Sequence, residues 1–181
     1  MGRIIGISGS LRASSYNSAL LAAVAELSSG AVEIASIRGI PLYDGDLEKE
    51  QGTPELVQQL KSRIAAADGL LLVTPEYNNS MPGVFKNAID WLSRPANDST
   101  PVFRGKPTAL MGATMGGFGT ILSQNAWLPV LRALAVRHWS GGRLMVAHAQ
   151  NVFDPAGKLL DGDLRNRLQK FIEDFELFID S

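Results

Sequence analysis

The chain has 181 residues, 45% of them apolar and 19% charged, with a net charge of −1 and no cysteine. That length suits one domain with a single sizeable core, and the missing thiols exclude disulfides, thiolate nucleophiles, cysteine-held zinc and iron–sulfur clusters. Two histidines are too few for a multi-histidine metal site, and 17 basic against 18 acidic residues leave no cationic excess for a nucleic acid partner.

Met1-Gly2-Arg3-Ile4-Ile5-Gly6-Ile7 leads straight into a Ser/Gly turn with no signal-peptide pattern, so a cytoplasmic protein is expected. Residues 3–8 are Ile-rich and read as a buried strand. Residues 17 to 27 place Leu20, Leu21, Val24 and Leu27 at helical spacing. The apolar run within it, residues 19–25, is far short of the roughly 20 residues of a membrane span. A second strand is expected over 31–37. Thr53-Pro54 then reads as a hydroxyl cap followed by a helix-starting proline, with Leu56, Val57, Leu60, Ile64 and Ala67 on one face. Residues 69–74 are apolar on both faces, the pattern of a central parallel strand.

A polar loop, 75–82, precedes a helix over 83–93. The fourth strand is expected over 106–113, followed by a glycine-rich loop over 112–119. A helix over 120–135 should kink or divide near Leu128, because Pro129 removes a backbone donor. Residues 136–139 and 144–147 compete for the fifth strand. The final stripe, Leu164, Leu168, Phe171, Ile172, Phe175 and Phe178, predicts a helix over 161–180, with Asp161-Gly162-Asp163 as its start and not a calcium loop. Alternating strands and helices in one domain predict an α/β fold, a parallel sheet covered by helices on both faces.

In such sheets ligands bind beyond the carboxyl ends of the strands, where strand order reverses. Three loops occupy those positions. Gly9-Ser10-Leu11-Arg12-Ala13-Ser14-Ser15-Tyr16-Asn17 joins hydroxyls, a guanidinium and a carboxamide to a helix start, a donor set that suits a terminal phosphate. The triphosphate-loop and dinucleotide-fingerprint spacings are both missing, and Gly6-Ile7-Ser8-Gly9-Ser10 only approaches a hydrolase elbow. Pro75-Glu76-Tyr77-Asn78-Asn79-Ser80-Met81-Pro82-Gly83 is a stiffened loop that can present backbone N–H groups and a flat surface to a heterocycle. Gly112-Ala113-Thr114-Met115-Gly116-Gly117-Phe118-Gly119 lets main chain approach a flat ring. Together they describe a site for a phosphorylated planar cofactor. Trp91, Trp127 and Trp139 read as core or subunit contacts.

The strings Gly9-Ser10-Leu11-Arg12, with Ser15 and Asn17, and Pro75-Glu76-Tyr77-Asn78-x-Ser80-x-Pro82-Gly83-x-x-Lys86-Asn87-Ala88-Ile89-Asp90-Trp91-x-Ser93-Arg94 closely resemble the NAD(P)H-dependent FMN reductase family. That family includes quinone, chromate and azo-dye reductases. The resemblance implies a flavodoxin-like, doubly wound, five-stranded parallel sheet of order 2-1-3-4-5 forming a single domain over 1–181. It implies bound FMN, NADPH or NADH as co-substrate, and hydride transfer through the flavin to quinones, free flavin, chromate or azo compounds. By resemblance, Ser10, Leu11, Arg12, Ala13, Ser14, Ser15, Tyr16 and Asn17 hold the FMN phosphate. Pro75, Glu76, Tyr77 and Asn78 line the ring, and Thr114 adds a further contact. A homodimer or homotetramer is implied, and no catalytic side chain is required, since the cofactor carries the chemistry. Three other readings remain: a non-enzymatic flavodoxin-like electron carrier, whose usual acidity the net charge does not match, a serine hydrolase built on Ser8 or Ser10 with His138 or His148, and a structural or ligand-sensing flavin domain.

Overall fold

The computed structural model describes residues 2–181. Strands β1 (Ile4–Ser8), β2 (Val32–Ala35), β3 (Gly69–Val73), β4 (Pro107–Ala113), β5 (Arg137–His138) and β6 (Leu144–Val146) alternate with helices. The helices are α1 (Tyr16–Leu27), α2 (Gly45–Gln51), α3 (Glu55–Ala65), α4 (Gly83–Leu92), α5 (Ala96–Phe103), α6 (Ile121–Ala133) and α7 (Gly162–Asp180). The sheet runs in the order β2-β1-β3-β4-β5, and every pairing is parallel. The expected flavodoxin-like order is the observed one.

Side-chain alternation along the strands divides the interior into two cores. Ile4, Leu71, Val73, Ala109 and Met111 point to one face, where α1 and α7 bring Leu20, Val24, Leu168, Phe171 and Phe175. Ile5, Ile7, Leu70, Leu72 and Leu110 point to the other, under Ile64, Phe85, Trp91, Phe103 and Trp127. All three tryptophans are buried. With both faces covered, the polar loops collect at the ends of the strands, and the order reverses between β1 and β3.

Both candidates for the fifth strand belong to the sheet. β5 pairs with Pro107 and Thr108, and β6 pairs farther along β4 with Met111, Gly112 and Ala113. Between them the chain departs from the edge around Trp139, whose ring lies 5.0 Å from Phe171, centroid to centroid. A Cβ on Gly142 would stand 2.3 Å from that ring, so only glycine lets the chain fold so closely over it.

Three expectations need correction. α6 is not divided at Pro129, because the proline and Asn125, whose carbonyl loses its helical partner, both lie on the exposed side where water can replace the bond. α3 begins at Glu55 with Pro54 as its cap residue, and no side chain, Thr53 included, caps it. The helices α2 and α5 were not expected. α2 is short and buries no residue, and α5 contains Pro101, so neither shows a clear apolar stripe. Asp161 caps α7 as expected, accepting from the Leu164 N–H at 2.6 Å.

Gly112 shows how tightly the strand ends are packed. An alanine Cβ there would stand 2.1 Å from Thr120 Oγ1 and 2.3 Å from the Thr74 carbonyl oxygen. Gly112→Ala should lower unfolding free energy by about 1–3 kcal/mol in urea titrations. Gly83→Ala, in the open first turn of α4 with nothing within 4 Å of the new Cβ, should be neutral or stabilising by up to about 1 kcal/mol.

Candidate functional site

The first crossover begins at Ser8, and its loop turns on short local bonds. The Ser10 N–H donates to Ser8 Oγ at 3.4 Å, and the Arg12 N–H donates to Ser10 Oγ at 3.3 Å. Gly9 passes so close to Phe85 that a Cβ would stand 2.2 Å from the ring. Ser15 caps α1. What the loop leaves free defines it. The backbone N–H groups of Ala13, Ser14, Ser15, Tyr16 and Asn17 find no acceptor among the described residues, and neither does the Arg12 guanidinium. Five successive unpaired donors, serine hydroxyls and a free cation at the positive end of a twelve-residue helix form a donor set made for an anion.

Asn17 has a different task. Its Oδ1 accepts from the Ala113 N–H at 2.9 Å, and its Nδ2 donates to the Ala113 carbonyl, also at 2.9 Å. This buried pair ties the start of α1 to the end of β4, and so fixes the first loop against the third. The side chain serves the cradle by placing it.

The second loop is a miniature hairpin. Tyr77 and Ser80 exchange backbone hydrogen bonds at 3.1 and 3.0 Å, while Asn78 and Asn79 take φ of +50° and +61°. Two central residues in the left-handed region are what a two-residue hairpin demands, and asparagine tolerates that region well. Behind the hairpin the buried Thr74 hydroxyl donates to the Pro75 carbonyl at 2.9 Å and accepts from Trp127 Nε1 at 3.0 Å. Glu76 is turned away from proton chemistry. Its Oε2 accepts from the Leu122 and Ser123 N–H groups at 2.9 and 3.0 Å, capping α6 from outside, where Thr120 offers no side-chain cap.

The third loop rests on the segment after β6. The Thr114 N–H donates to the Val146 carbonyl at 2.9 Å, and the Ala149 N–H to the Thr114 carbonyl at 3.0 Å. Gly119, at φ +57°, lies so close to the Met145 backbone that a side chain would not fit. Met115 and Phe118 stand out into solvent, 57% and 73% exposed.

Ser10, Arg12, Ser15, Tyr16, Asn17, Pro75, Glu76, Tyr77 and Thr114 line one open cleft of about 180 Å³, together with Ala113 and Met115. Of the residues expected at the site, Leu11, Ala13, Ser14 and Asn78 do not line it. Leu11 and Ala13 face a hollow on the β2 side, Ala13 and Ser14 border a larger cleft over α1, and Asn78 occupies the hairpin tip. Ala113 was missed because an alanine carries no chemical signal. The backbone N–H groups of Glu76, Asn78 and Met115 find no acceptor among the described residues. A phosphate cradle beside a flat, donor-edged ledge therefore fits FMN.

The rest of the long string is architectural. Asn87 Nδ2 and Trp91 Nε1 both donate to the Pro41 carbonyl, at 2.8 and 2.9 Å, and Asn87 Oδ1 accepts from the Tyr43 N–H at 2.8 Å. These bonds anchor the segment after β2 to α4. A serine hydrolase lacks its parts: Ser8 Oγ pairs with Ser18 Oγ at 3.0 Å, and neither histidine hydrogen-bonds to Ser8 or Ser10 among the described residues. His138 lines a separate pocket beside α6, where burial and Arg143 hold its pKa below the usual imidazole value.

The family model for NADPH-dependent FMN reductase matches residues 2–151. The chain belongs to that family. It is 44% identical over 179 residues to an NAD(P)H-dependent FMN reductase of Pseudomonas aeruginosa, covering 98% of this chain and 95% of that protein. A 2-hydroxy-1,4-benzoquinone reductase of Burkholderia is 38% identical over 179 residues, with 98% and 96% coverage. Among solved structures, FerB, a flavoenzyme NAD(P)H:(acceptor) oxidoreductase of Paracoccus denitrificans, superposes with a TM-score of 0.88 at 32% identity, covering 99% of this chain and 98% of its own.

Two substitutions test the placement of the loops. Asn17→Ala strands the buried Ala113 N–H and should cost about 1–3 kcal/mol in chemical denaturation, with weakened FMN binding in fluorescence titration. Glu76→Ala uncaps α6 and should cost about 0.5–2 kcal/mol, whereas Glu76→Gln keeps an acceptor and should lose less.

Proposed function

We propose that this protein binds FMN and passes two electrons from NADH or NADPH to a small planar acceptor such as a quinone. The observation that carries the reading is the run of unpaired donors from Ala13 to Asn17 beside the ledge of Pro75, Tyr77 and Thr114. Membership in the FMN reductase family and the quinone-reducing relatives support the same chemistry. FMN, when bound, supplies hydride acceptance from the dihydronicotinamide and donation to the acceptor. The net reaction consumes NAD(P)H, a proton and a quinone, and yields NAD(P)⁺ and a hydroquinone.

The chain's own residues bind, orient and expose. Arg12 and the serine hydroxyls neutralise the phosphate, and its grip fixes the position of the ring. The Glu76, Asn78 and Met115 N–H groups stabilise negative charge at the ring edge, a task for backbone dipoles that needs no titrating side chain. Glu76 Oε2 is held by the first turn of α6, so that carboxylate braces the loop. The cleft stays open, so donor and acceptor use one face in turn, in a ping-pong cycle with broad acceptor tolerance.

Tyr77, Val84, Met115, Phe118 and Leu122 are exposed apolar side chains on the second and third loops and the helices that follow them. Such side chains support stacking of planar acceptors and burial against a second copy, as a homodimer or homotetramer. No helix among the described residues is long and apolar enough to cross a membrane, and a cytoplasmic reaction is in keeping with the use of nicotinamide dinucleotides.

The deciding experiment is anaerobic stopped-flow mixing of FMN-loaded protein with NADPH or NADH. Prompt loss of flavin absorbance, restored by a quinone, is expected; a flavin that stays oxidised without a partner reductase would make the protein an electron carrier instead. Arg12→Ala should weaken FMN binding by about 1.5–3 kcal/mol, roughly ten- to a hundredfold in Kd.

A further inference from the structure

A second and larger cleft, of about 630 Å³, adjoins the flavin cleft. The two share Arg12, Ser15, Tyr16 and Met115 in their walls. The larger one extends from Met115 over the first turn of α1 to Asp154-Pro155-Ala156-Gly157. Its floor is built from the small side chains Ala19 and Ala22, and Tyr16 stands at its entrance with its ring packed 6.2 Å from Phe153. The volume falls in the range that takes a nucleoside-sized ligand.

The far wall is rigid and acidic. The Asp154 N–H donates to the Lys158 carbonyl at 3.0 Å, the Lys158 N–H donates to Asp154 Oδ1 at 2.8 Å, and the Gly157 N–H closes the turn on the Asp154 carbonyl at 2.9 Å. Gly157 takes φ +83° against Ala19, a conformation that a side chain would strain. Asp154 Oδ2 finds no hydrogen-bond donor among the described residues. A fixed carboxylate with a free oxygen accepts from the vicinal hydroxyls of a ribose and repels a phosphate in their place.

We propose that this cleft holds the adenosine half of the nicotinamide dinucleotide, and that Asp154 makes the protein prefer NADH to NADPH. The inference rests on the function proposed above, in which the nicotinamide stacks on the flavin ring. From that ring the diphosphate bridge passes Arg12, which lies in the walls of both clefts, and the adenosine ribose meets Asp154. The smaller hollow beside β2, about 260 Å³ with Arg12, Ser36 and Arg38 in its wall, is the competing place for a 2′-phosphate. It contains no residue of the second or third loop, whereas the larger cleft includes Met115, and the Arg38 guanidinium already donates to the Leu11 carbonyl.

The test uses the FMN-loaded full chain and two fragments that cannot transfer hydride, ADP-ribose and 2′-phospho-ADP-ribose, followed by calorimetry. ADP-ribose should bind roughly tenfold more tightly than its 2′-phosphate and compete with NADH. Asp154→Asn retains the oxygen that accepts from Lys158, and should erase the tenfold difference while FMN affinity stays as it was. Ala22→Trp, which fills the floor, should raise KM for NADH and lower ADP-ribose affinity. Equal binding of the two fragments, an unaltered ratio in Asp154→Asn, or a ratio controlled by Arg38→Ala would overturn the assignment. Bleaching of the flavin by NADH reports the parent function separately. If bleaching occurs while ADP-ribose ignores Asp154, the subsite alone falls; if neither dinucleotide bleaches the flavin, both fall.

Discussion

One buried amide, that of Asn17, decides whether this protein has a site or three unrelated loops. Its two hydrogen bonds to Ala113 join the beginning of α1 to the end of β4, across the strand between them. Both partners are buried, so breaking the pair leaves polar groups without water to replace it, and the geometry is correspondingly well defined. Glu76 repeats the device from the second loop, reaching to the first turn of α6. Each loop is thus held by an element that follows another, and the cleft keeps its shape without a ligand.

The electrostatics follow from the same bonds. A phosphate and an electron-rich ring edge both need donors, and the loops supply them from main chain: the unpaired N–H groups of residues 13–17, Glu76, Asn78 and Met115. The one acid in these loops, Glu76, is spoken for by a helix terminus. The polar side chains most prominent in the sequence therefore divide their work. Arg12, Ser10 and Ser15 line the cleft, Asn17 and Glu76 brace its loops, and Asn87 and Trp91 anchor the segment after β2. Few protein groups near the flavin need to change protonation, which suits a reaction whose bond-making belongs to the cofactor.

The long strands and helices were legible from the chain because their periodicity is a direct image of burial. Residues 69–73 are apolar throughout and lie in the middle of the sheet, and the stripe from Leu164 to Phe175 faces the core. The three loops were legible as candidates for another reason: serine, arginine and glycine stand at the strand ends, where parallel sheets bind ligands. What escaped were features made of backbone. The left-handed pair at Asn78 and Asn79, the interrupted edge around Trp139 and the helices α2 and α5 carry no periodic signal.

The sequence by itself determined the α/β class, the two-sided core, the three candidate loops and, through the two strings around Ser10 and Pro75, the family. These rest on local patterns or contiguous motifs, which need no knowledge of what lies opposite. Only the tertiary structure decided that Asn17 and Glu76 act as braces, that both edge segments join β4, and that Asp154 faces the cleft bordered by Arg12, some 140 residues earlier in the chain. A side chain's task depends on the partner that folding brings to it, and a pattern along the chain does not name that partner.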